Sequence, residues 1–431
     1  MQTQVVTNIG SLVNVRNETH VLRGKELSEL PCIHNAYLII EGGVITAFGE
    51  MKDLETGDRS QETKTANYKL QTINANGATL LPCWCDSHTH LVFAASREAE
   101  FVDKIKGKTY ADIAAKGGGI LNSGRKLNTT SEEELFEKAQ QRLNELIKLG
   151  TGAIEIKSGY GLTVEGELKI LRVIKRLKES SSILIKATFL GAHAYPEEYK
   201  DDHESYIRLI IDEMLPNIAK EGLADFIDVF CELGFFSADE MIRICEAGYK
   251  YGLKPKLHVN QLNSIGGIEA GIKLNAVSMD HLENLTNEEI KIVSGKKSSA
   301  LGGEVWKGIA TLLPTAAFFL RMNYQPARAL IDAGCAIALA SDFNPGSSPS
   351  GNMNFVLSLS CIQMKMLPGE AINAATINGA YAMEVNNDVG SVTVGKKANF
   401  IFTKPIPSLA YLPYSFGTNL IDKVMINGEF I

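Results

Sequence analysis

Eight short apolar runs, each ending abruptly in polar residues, constrain this chain more than any other feature. They are "ATLLPCWCDSHTH", "TGAIEIKSGY", "ILIKATFLGAH", "DFIDVFCE", "KPKLHVN", "NAVSMDH", "GIATLLPT" and "CAIALASD". Near-continuous apolar runs of this length suit strands covered on both faces, as in parallel sheets. Helical stretches separate them. In "SEEELFEKAQQRLNELIKLG", Ser131 is a candidate N-cap, Glu134 follows three positions on, and Gly150 supplies the stop. After the first run, the polar ends recur at intervals of roughly 23 to 39 residues, the length of one strand–helix unit. Eight such units predict an α/β fold, a (β/α)8 barrel with its active site at the C-terminal ends of the strands. The first interval, roughly 70 residues, leaves room for an added loop, and "AAKGGGILNSGRK" has that texture.

The two ends of the chain differ from the middle. "NAYLIIEGGVITAFGE" holds two β-rich runs around Gly42-Gly43, a hairpin signal. "GSVTVGKKANFIFT" and "DKVMINGEFI" repeat the pattern near the C-terminus. Neither end has enough apolar residues to fold alone. Residues 1–78 and 386–431 are therefore expected to build one small β-sandwich domain, with residues 79–385 forming the barrel.

Composition removes several classes of partner. The 431 residues are 45% hydrophobic and 22% charged, which is ordinary for a soluble globular chain. A net charge of −7 without a basic block argues against nucleic acid. No apolar run reaches the ~18 residues of a membrane span. The N-terminus lacks the basic start and apolar core of a signal peptide. Seven irregularly spaced cysteines fit a reducing, cytoplasmic setting better than a disulfide framework.

"LLPCWCDSHTH" places Cys83, Cys85, His88 and His90 close together, all of them residue types that bind zinc. His88, His90, His193, His258 and His281, five of the eight histidines, fall at predicted strand ends; His20, His34 and His203 do not. One such histidine would read as core or surface packing. Five at one face of one fold point to a site. His88 and His90 are two apart, so on an extended chain they point the same way. Cys83 and Cys85 have the opposite parity and lie deeper in the apolar run. No second cysteine pair is available to close a structural zinc site, so they read as core packing. A metal held by His88, His90 and His258 still needs charge compensation and a base. Asp342, in "ALASDFNPGS", ends the last strand, where an aspartate can touch a metal and take a proton from the attacking water. Alone, Asp342 reads equally well as a turn former.

His-x-His after strand one, a histidine after strands five and six, and an aspartate after strand eight resemble the amidohydrolase superfamily. Within it the chain is similar to the imidazolonepropionases of histidine degradation. "DSHTHLVFAASREAEF", "AAKGGGI", "EIKSGYGL", "LGAHAYPEEY", "DVFCE", "DHLE", "LLPTAAFFLR", "SDFNPGS" and "AATINGAYAM" carry the likeness through almost the whole chain. The resemblance implies one zinc or iron ion on His88, His90, His258 and Asp342. It implies substrate contacts at Arg97, Tyr160 and His193, and a loop at Asn344, Gly346 and Ser347 that grips substrate or product. His281 matches a catalytic histidine, and the family suggests a homodimer. The implied reaction is hydrolysis of the ring amide of 4-imidazolone-5-propanoate to N-formimidoyl-L-glutamate, with Arg97 pairing bidentately with the propionate carboxylate.

Two features depart from that pattern. The family usually has His-Ala-Asp-Glu after strand five, whereas here the segment is "HVNQLN". Gln261 can hydrogen-bond to substrate but cannot take a proton. Proton transfer then falls to Asp342 or His281. "GKKSSALGGEVWKG", residues 295–308, is longer than the family's usual link and has no assigned role. Two other readings stand beside this one. The first is a different amidohydrolase, acting on another cyclic amide or deaminating a purine or pyrimidine. Such deaminases use a glutamate where Gln261 stands. The second is a barrel that keeps its metal but only binds.

Overall fold

The computed structural model describes residues 3–55, 70–108, 118–295 and 306–431. Strands from both ends of the chain form one mixed sheet. These are β1 (Thr3–Val13), β2 (Cys32–Glu41), β3 (Val44–Glu50), β4 (Leu70–Asn74) and β5 (Thr79–Pro82). The eight barrel strands follow: β6 (Trp84–Asp86), β7 (Thr151–Lys157), β8 (Leu184–Ala192), β9 (Phe226–Cys231), β10 (Lys254–Val259), β11 (Ser278–His281), β12 (Ile309–Leu312) and β13 (Ile337–Leu339). The C-terminal β14 (Phe400–Thr403), β15 (Ile421–Ile426) and β16 (Glu429–Phe430) return to the mixed sheet, whose order is β16-β15-β14-β5-β1-β2-β3 with β4 on β1.

All eight apolar runs contain a barrel strand, and the strands pair in parallel from β6 to β13 in chain order. The ring closes just beyond β6 and β13, where Thr89 and Phe343 form a parallel bridge. At this seam Asp342 N–H donates to the His88 carbonyl at 3.0 Å, and His90 N–H donates to the Phe343 carbonyl at 2.9 Å. Below it, the Asp86 carboxylate accepts from the Ser341 N–H and hydroxyl at 2.9 and 2.6 Å. Closure therefore sets three of the expected metal-binding side chains on adjoining backbones.

The helices pack outside by amphipathic spacing. Glu132–Lys148 starts at Ser131, whose hydroxyl accepts the Glu134 N–H, and buries Leu135, Ala139, Leu143 and Leu146 along one face. The interval expected to be a loop instead contains a helix, Gly119–Thr129. Gly119, Ser123, Gly124 and Leu127 form its buried face, a small-residue stripe too weakly apolar to show as a helical period. Residues 109–117, including the start of "AAKGGGI", and 296–305, most of the long link, lie outside the described residues.

The terminal sheet has its own core, in which Val6, Ile9, Leu38, Ile40, Leu80, Phe400 and Phe402 meet. The hairpin at Gly42-Gly43 is present, with β2 antiparallel to β3. "GSVTV" forms no strand; Val392 makes a single bridge to Val15. The boundary expected at 78/79 also shifts. Thr79–Pro82 pair with β1 and β14 in the terminal sheet, and the chain enters the barrel at Cys83–Trp84.

"AATINGAYAM" proves to be a structural tie. Asn378 donates to the Leu22 and Ile337 carbonyls at 2.9 and 2.8 Å and accepts the Leu22 N–H at 2.9 Å. Asn373 donates to the Leu27 and Glu29 carbonyls at 2.9 and 2.8 Å. Both side chains are buried, so alanine would leave main-chain groups unpaired away from water. Asn378→Ala should cost about 3 kcal/mol or more, since each orphaned buried group costs roughly 1–3 kcal/mol. Thermal and urea unfolding would measure this, with activity per folded molecule unchanged.

Candidate metal centre

The barrel interior is charged where such barrels are usually filled with branched aliphatics. Alternation along a strand sends Glu155 and Lys157 of β7 to one face, and likewise Lys256 and His258 of β10 and Ser278 and Asp280 of β11. With Asp228 of β9 they are buried inside the ring. The Asp280 carboxylate meets His88 Nδ1 at 2.6 Å, and the Asp228 carboxylate meets His258 Nδ1 at 2.6 Å. Burial pushes His88, His90 and His258 well below the usual imidazole range, so these rings are neutral.

These contacts fix the tautomers. A neutral imidazole whose Nδ1–H is donated to a carboxylate carries its lone pair on Nε2. The Nε2 atoms of His88 and His258 stand 3.0 Å apart. Two lone pairs facing each other at that distance need a cation. Asp342 Oδ1 lies 3.6 Å from Nε2 of both His88 and His90. Three neutral imidazoles and one carboxylate are a donor set suited to zinc or iron, so the residues fit a metal. The carboxylates behind two of the rings are the usual supports of metal-binding histidines.

His281 stands beside this cluster but has a different environment. Its donor atoms group with those of His88 and His258, yet its Nδ1 faces Glu283 at 3.4 Å. Gln325 donates to the same Glu283 oxygen at 2.9 Å. Burial alone would lower the His281 pKa; Glu283, Asp342 and Asp280 together outweigh it and the net direction is upward. His281 thus differs from His88, His90 and His258, whose pKa values burial pushes down. His281, Leu282 and Asp342 hold φ of +83°, +68° and +53°, the left-handed strain that gathers at functional sites.

A cavity of about 400 Å³ opens over the cluster. Gln261, His193 and Tyr160 line it beside His90, His258, His281 and Asp342, while Arg97 and Lys104 line it too. The Tyr160 loop is held from below by buried Glu167, which accepts the N–H groups of Gly159, Gly161 and Leu162 at 2.7 to 2.9 Å. Gly159 has φ +112°, and a Cβ there would sit 2.8 Å from His193 Nδ1. That nitrogen donates to the Gly159 carbonyl at 2.9 Å, so His193 keeps an acceptor nitrogen.

The structure adds detail at Arg97, Asn344 and Gln261. The Nε–Nη2 edge of Arg97 is held by Glu100, at 2.8 and 2.5 Å, which leaves Nη1 standing over Gly346. A Cβ at Gly346 would lie 2.3 Å from that Nη1, so the loop and the guanidinium fit only with glycine there. Glu100 uses one Nε and one Nη2 proton, so the Nη1–Nη2 end of the guanidinium keeps donors for an anion. Asn344 has no polar atom left for a ligand. It donates to the Asp342 carbonyl and Ser347 Oγ and accepts from the Gly346 and Ser347 N–H groups, so it shapes the loop. Gln261 lines the cavity, but Asn260 faces away from it, donating to the Asn284 carbonyl and Glu289.

Cys83 and Cys85 are buried in packing, Cys85 against Ala153, Ala380 and Met383. Neither belongs to a group able to hold a metal among the described residues. Sequence reasoning missed Lys104, Glu167, Glu283 and the buried Glu155–Lys157–Asp228–Lys256–Asp280 set. The visible signal for that set was charge at two-residue spacing inside apolar runs, as in "AIEIK".

Comparison with known proteins gives the family and the fold. Residues 79–431 match the model of the Amidohydrolase family. The imidazolonepropionase of Flavobacterium johnsoniae is 54% identical over 428 residues, covering 99% of each chain. That of Christiangramia forsetii is 53% identical over 433 residues, covering 100% of each. Among solved structures, an adenosine deaminase from Xanthomonas campestris with bound zinc shares the fold, with a TM-score of 0.66 at 15% identity over 99% of this chain and 92% of that one.

Elemental analysis separates the two candidate ligand sets. Cys83→Ala with Cys85→Ala should leave the bound metal unchanged, whereas His258→Ala should lose most of it. Metal loss in the cysteine variant would return those thiols to the site.

Proposed function

Because the chain belongs to the amidohydrolase family and, within it, to the imidazolonepropionases, we propose that the cluster of His88, His90, His258 and Asp342 is the reaction centre of a ring-opening hydrolase. Its substrate is 4-imidazolone-5-propanoate and its product N-formimidoyl-L-glutamate. The observation that carries this reading is one cavity with converging imidazole lone pairs at its base and two cations, Arg97 and Lys104, in its wall. A flat ring amide with an anionic tail matches both. We place one zinc or iron ion on the four ligands; bound there, it would polarise the ring carbonyl and acidify the attacking water.

The side chains supply the rest. Burial raises the Asp342 pKa to about 6, which suits a base that is ionised at neutral pH yet able to hold a proton. Asp342 takes the proton of the attacking water and returns it to the ring nitrogen as the C–N bond breaks. His281, whose proton affinity Glu283, Asp342 and Asp280 raise, faces the developing oxyanion. Tyr160, His193 and Gln261 orient the ring. Arg97 Nη1 and Lys104 meet the propionate, with Ser347 on the loop between them and Asp342; Ser347 Oγ lies 3.3 Å from Asp342 Oδ2. The enzyme is placed in the cytoplasm as a homodimer, with no nucleic-acid or membrane partner; among the described residues no helix is long and apolar enough to cross a membrane.

Turnover of 4-imidazolone-5-propanoate by the metal-loaded protein tests the assignment, and its absence at full metal content would overturn it. Asp342→Asn should cost at least the roughly 10²–10⁴-fold of general-base catalysis. Gln261→Glu adds a second carboxylate near Asp342, and like charges raise carboxylate pKa values. The acid limb of the kcat/KM profile should move to higher pH without a large gain in kcat. A gain of about a hundredfold would instead identify Gln261 as a lost proton carrier.

For the anionic tail, Lys104→Met should raise KM roughly ten- to a hundredfold, the worth of one charge-assisted hydrogen bond, with kcat nearly constant. Arg97→Lys should be at least as damaging, since an ammonium cannot hold Glu100 and the substrate together. An unchanged KM in either variant removes that residue from the carboxylate site.

A further inference from the structure

Lys157 is the buried cation that the reaction scheme leaves unused. Its side chain is fully buried at the end of β7, inside the barrel. Its ammonium lies 2.7 Å from Glu155, 2.9 Å from Asp228 Oδ2 and 3.7 Å from Asp280 Oδ2. Those last two oxygens are the ones that hold His258 Nδ1 and His88 Nδ1. One ammonium therefore touches both carboxylates that set the tautomers of two metal-binding rings. Lys256, the other buried ammonium, is arranged differently. It lies 3.1 Å from Glu155 and donates to Ser278 Oγ and the Ala382 carbonyl. It has no direct ion pair with Asp228 or Asp280 and reaches Asp280 only through Ser278, whose hydroxyl donates to Asp280 Oδ1 at 2.6 Å. Burial would discharge Lys157, but Asp228, Glu155 and Asp280 outweigh it and keep the group charged.

We propose that Lys157 is a positioning residue for the metal centre: it locks Asp228 and Asp280 in place, so that the Nε2 lone pairs of His258 and His88 converge on one point. The proposal rests on the reading that these histidines hold the metal. It also has a sign that separates it from simple charge effects. If Lys157 acted only as a nearby positive charge, removing it would tighten binding of a cation. If it acts by holding the carboxylates, removing it weakens binding, as loss of a support behind a metal-binding histidine does.

The test uses the full chain, stripped of metal and titrated with zinc against a competing chelator. Lys157→Met should weaken zinc binding by about 10- to 100-fold. It should also shift the visible d–d bands of the cobalt-loaded protein, because the donor geometry changes. Lys256→Met, which removes a buried charge that meets Asp280 only through Ser278, should change affinity less and shift the bands less. Lys157→Gln keeps a donor for one carboxylate and should fall between wild type and Lys157→Met; it also decides the matter if the methionine variant does not fold. Unchanged or tighter zinc binding in the Lys157 variants would overturn the proposal. So would equal losses in the Lys157 and Lys256 variants with unchanged cobalt bands. His258→Ala keeps the underlying reading separate: if that variant binds zinc normally, the ligand assignment itself has failed.

Discussion

Two nitrogen lone pairs held 3.0 Å apart, on His88 and His258, are the constraint around which the barrel is arranged. Left to themselves, neutral rings would turn away from such a contact. Here Asp280 and Asp228 grip their far sides at 2.6 Å and do not let them turn. Those carboxylates are buried and need a cation of their own, which brings Lys157 into the barrel; Glu155 lies between it and Lys256, and Ser278 links Lys256 to Asp280. Desolvating so many charges is costly, and a tightly packed aliphatic interior would often be as stable or more so. The charged interior serves geometry at the mouth of the barrel more than it serves the stability of the fold.

The sequence showed the barrel clearly because each strand is apolar until its last residues. Five histidines at those ends pointed to one mouth of the barrel, and all five meet there. What the chain order hides is pairing between strands. Asp228 and His258 are 30 residues apart, and Asp280 and His88 are 192 apart. Two-residue spacing shows that Glu155 and Lys157 share a face, but not that Lys157 reaches two other strands. Asn344 shows the opposite error. The resemblance implied that it grips substrate or product, whereas an asparagine in a turn has backbone groups within reach and satisfies itself on them. Gly119–Thr129 was missed because its buried face is built from small residues.

The carboxylate pole has a similar logic. Arg97 is tied along one edge to Glu100, whose other oxygen accepts the Gly119 N–H. The guanidinium is therefore aimed before any ligand arrives, and less freedom is lost on binding. The tie also offsets part of the charge of Arg97. That gives the half-buried Lys104, which forms no ion pair among the described residues, a larger share of the attraction for an anion.

The passage from β5 to β6 affects the order in which the molecule can be completed. β5 lies between β1, from the beginning of the chain, and β14, from near its end. It runs almost directly into β6, and His88 follows two residues after that strand. During synthesis the first metal-binding histidines leave the ribosome early, yet one edge of β5 has no partner until Phe400–Thr403 has emerged. Domains tend to form from the N-terminus as the chain is made. This chain cannot finish in that way, and the proposed metal centre belongs among the last parts of the molecule to become rigid.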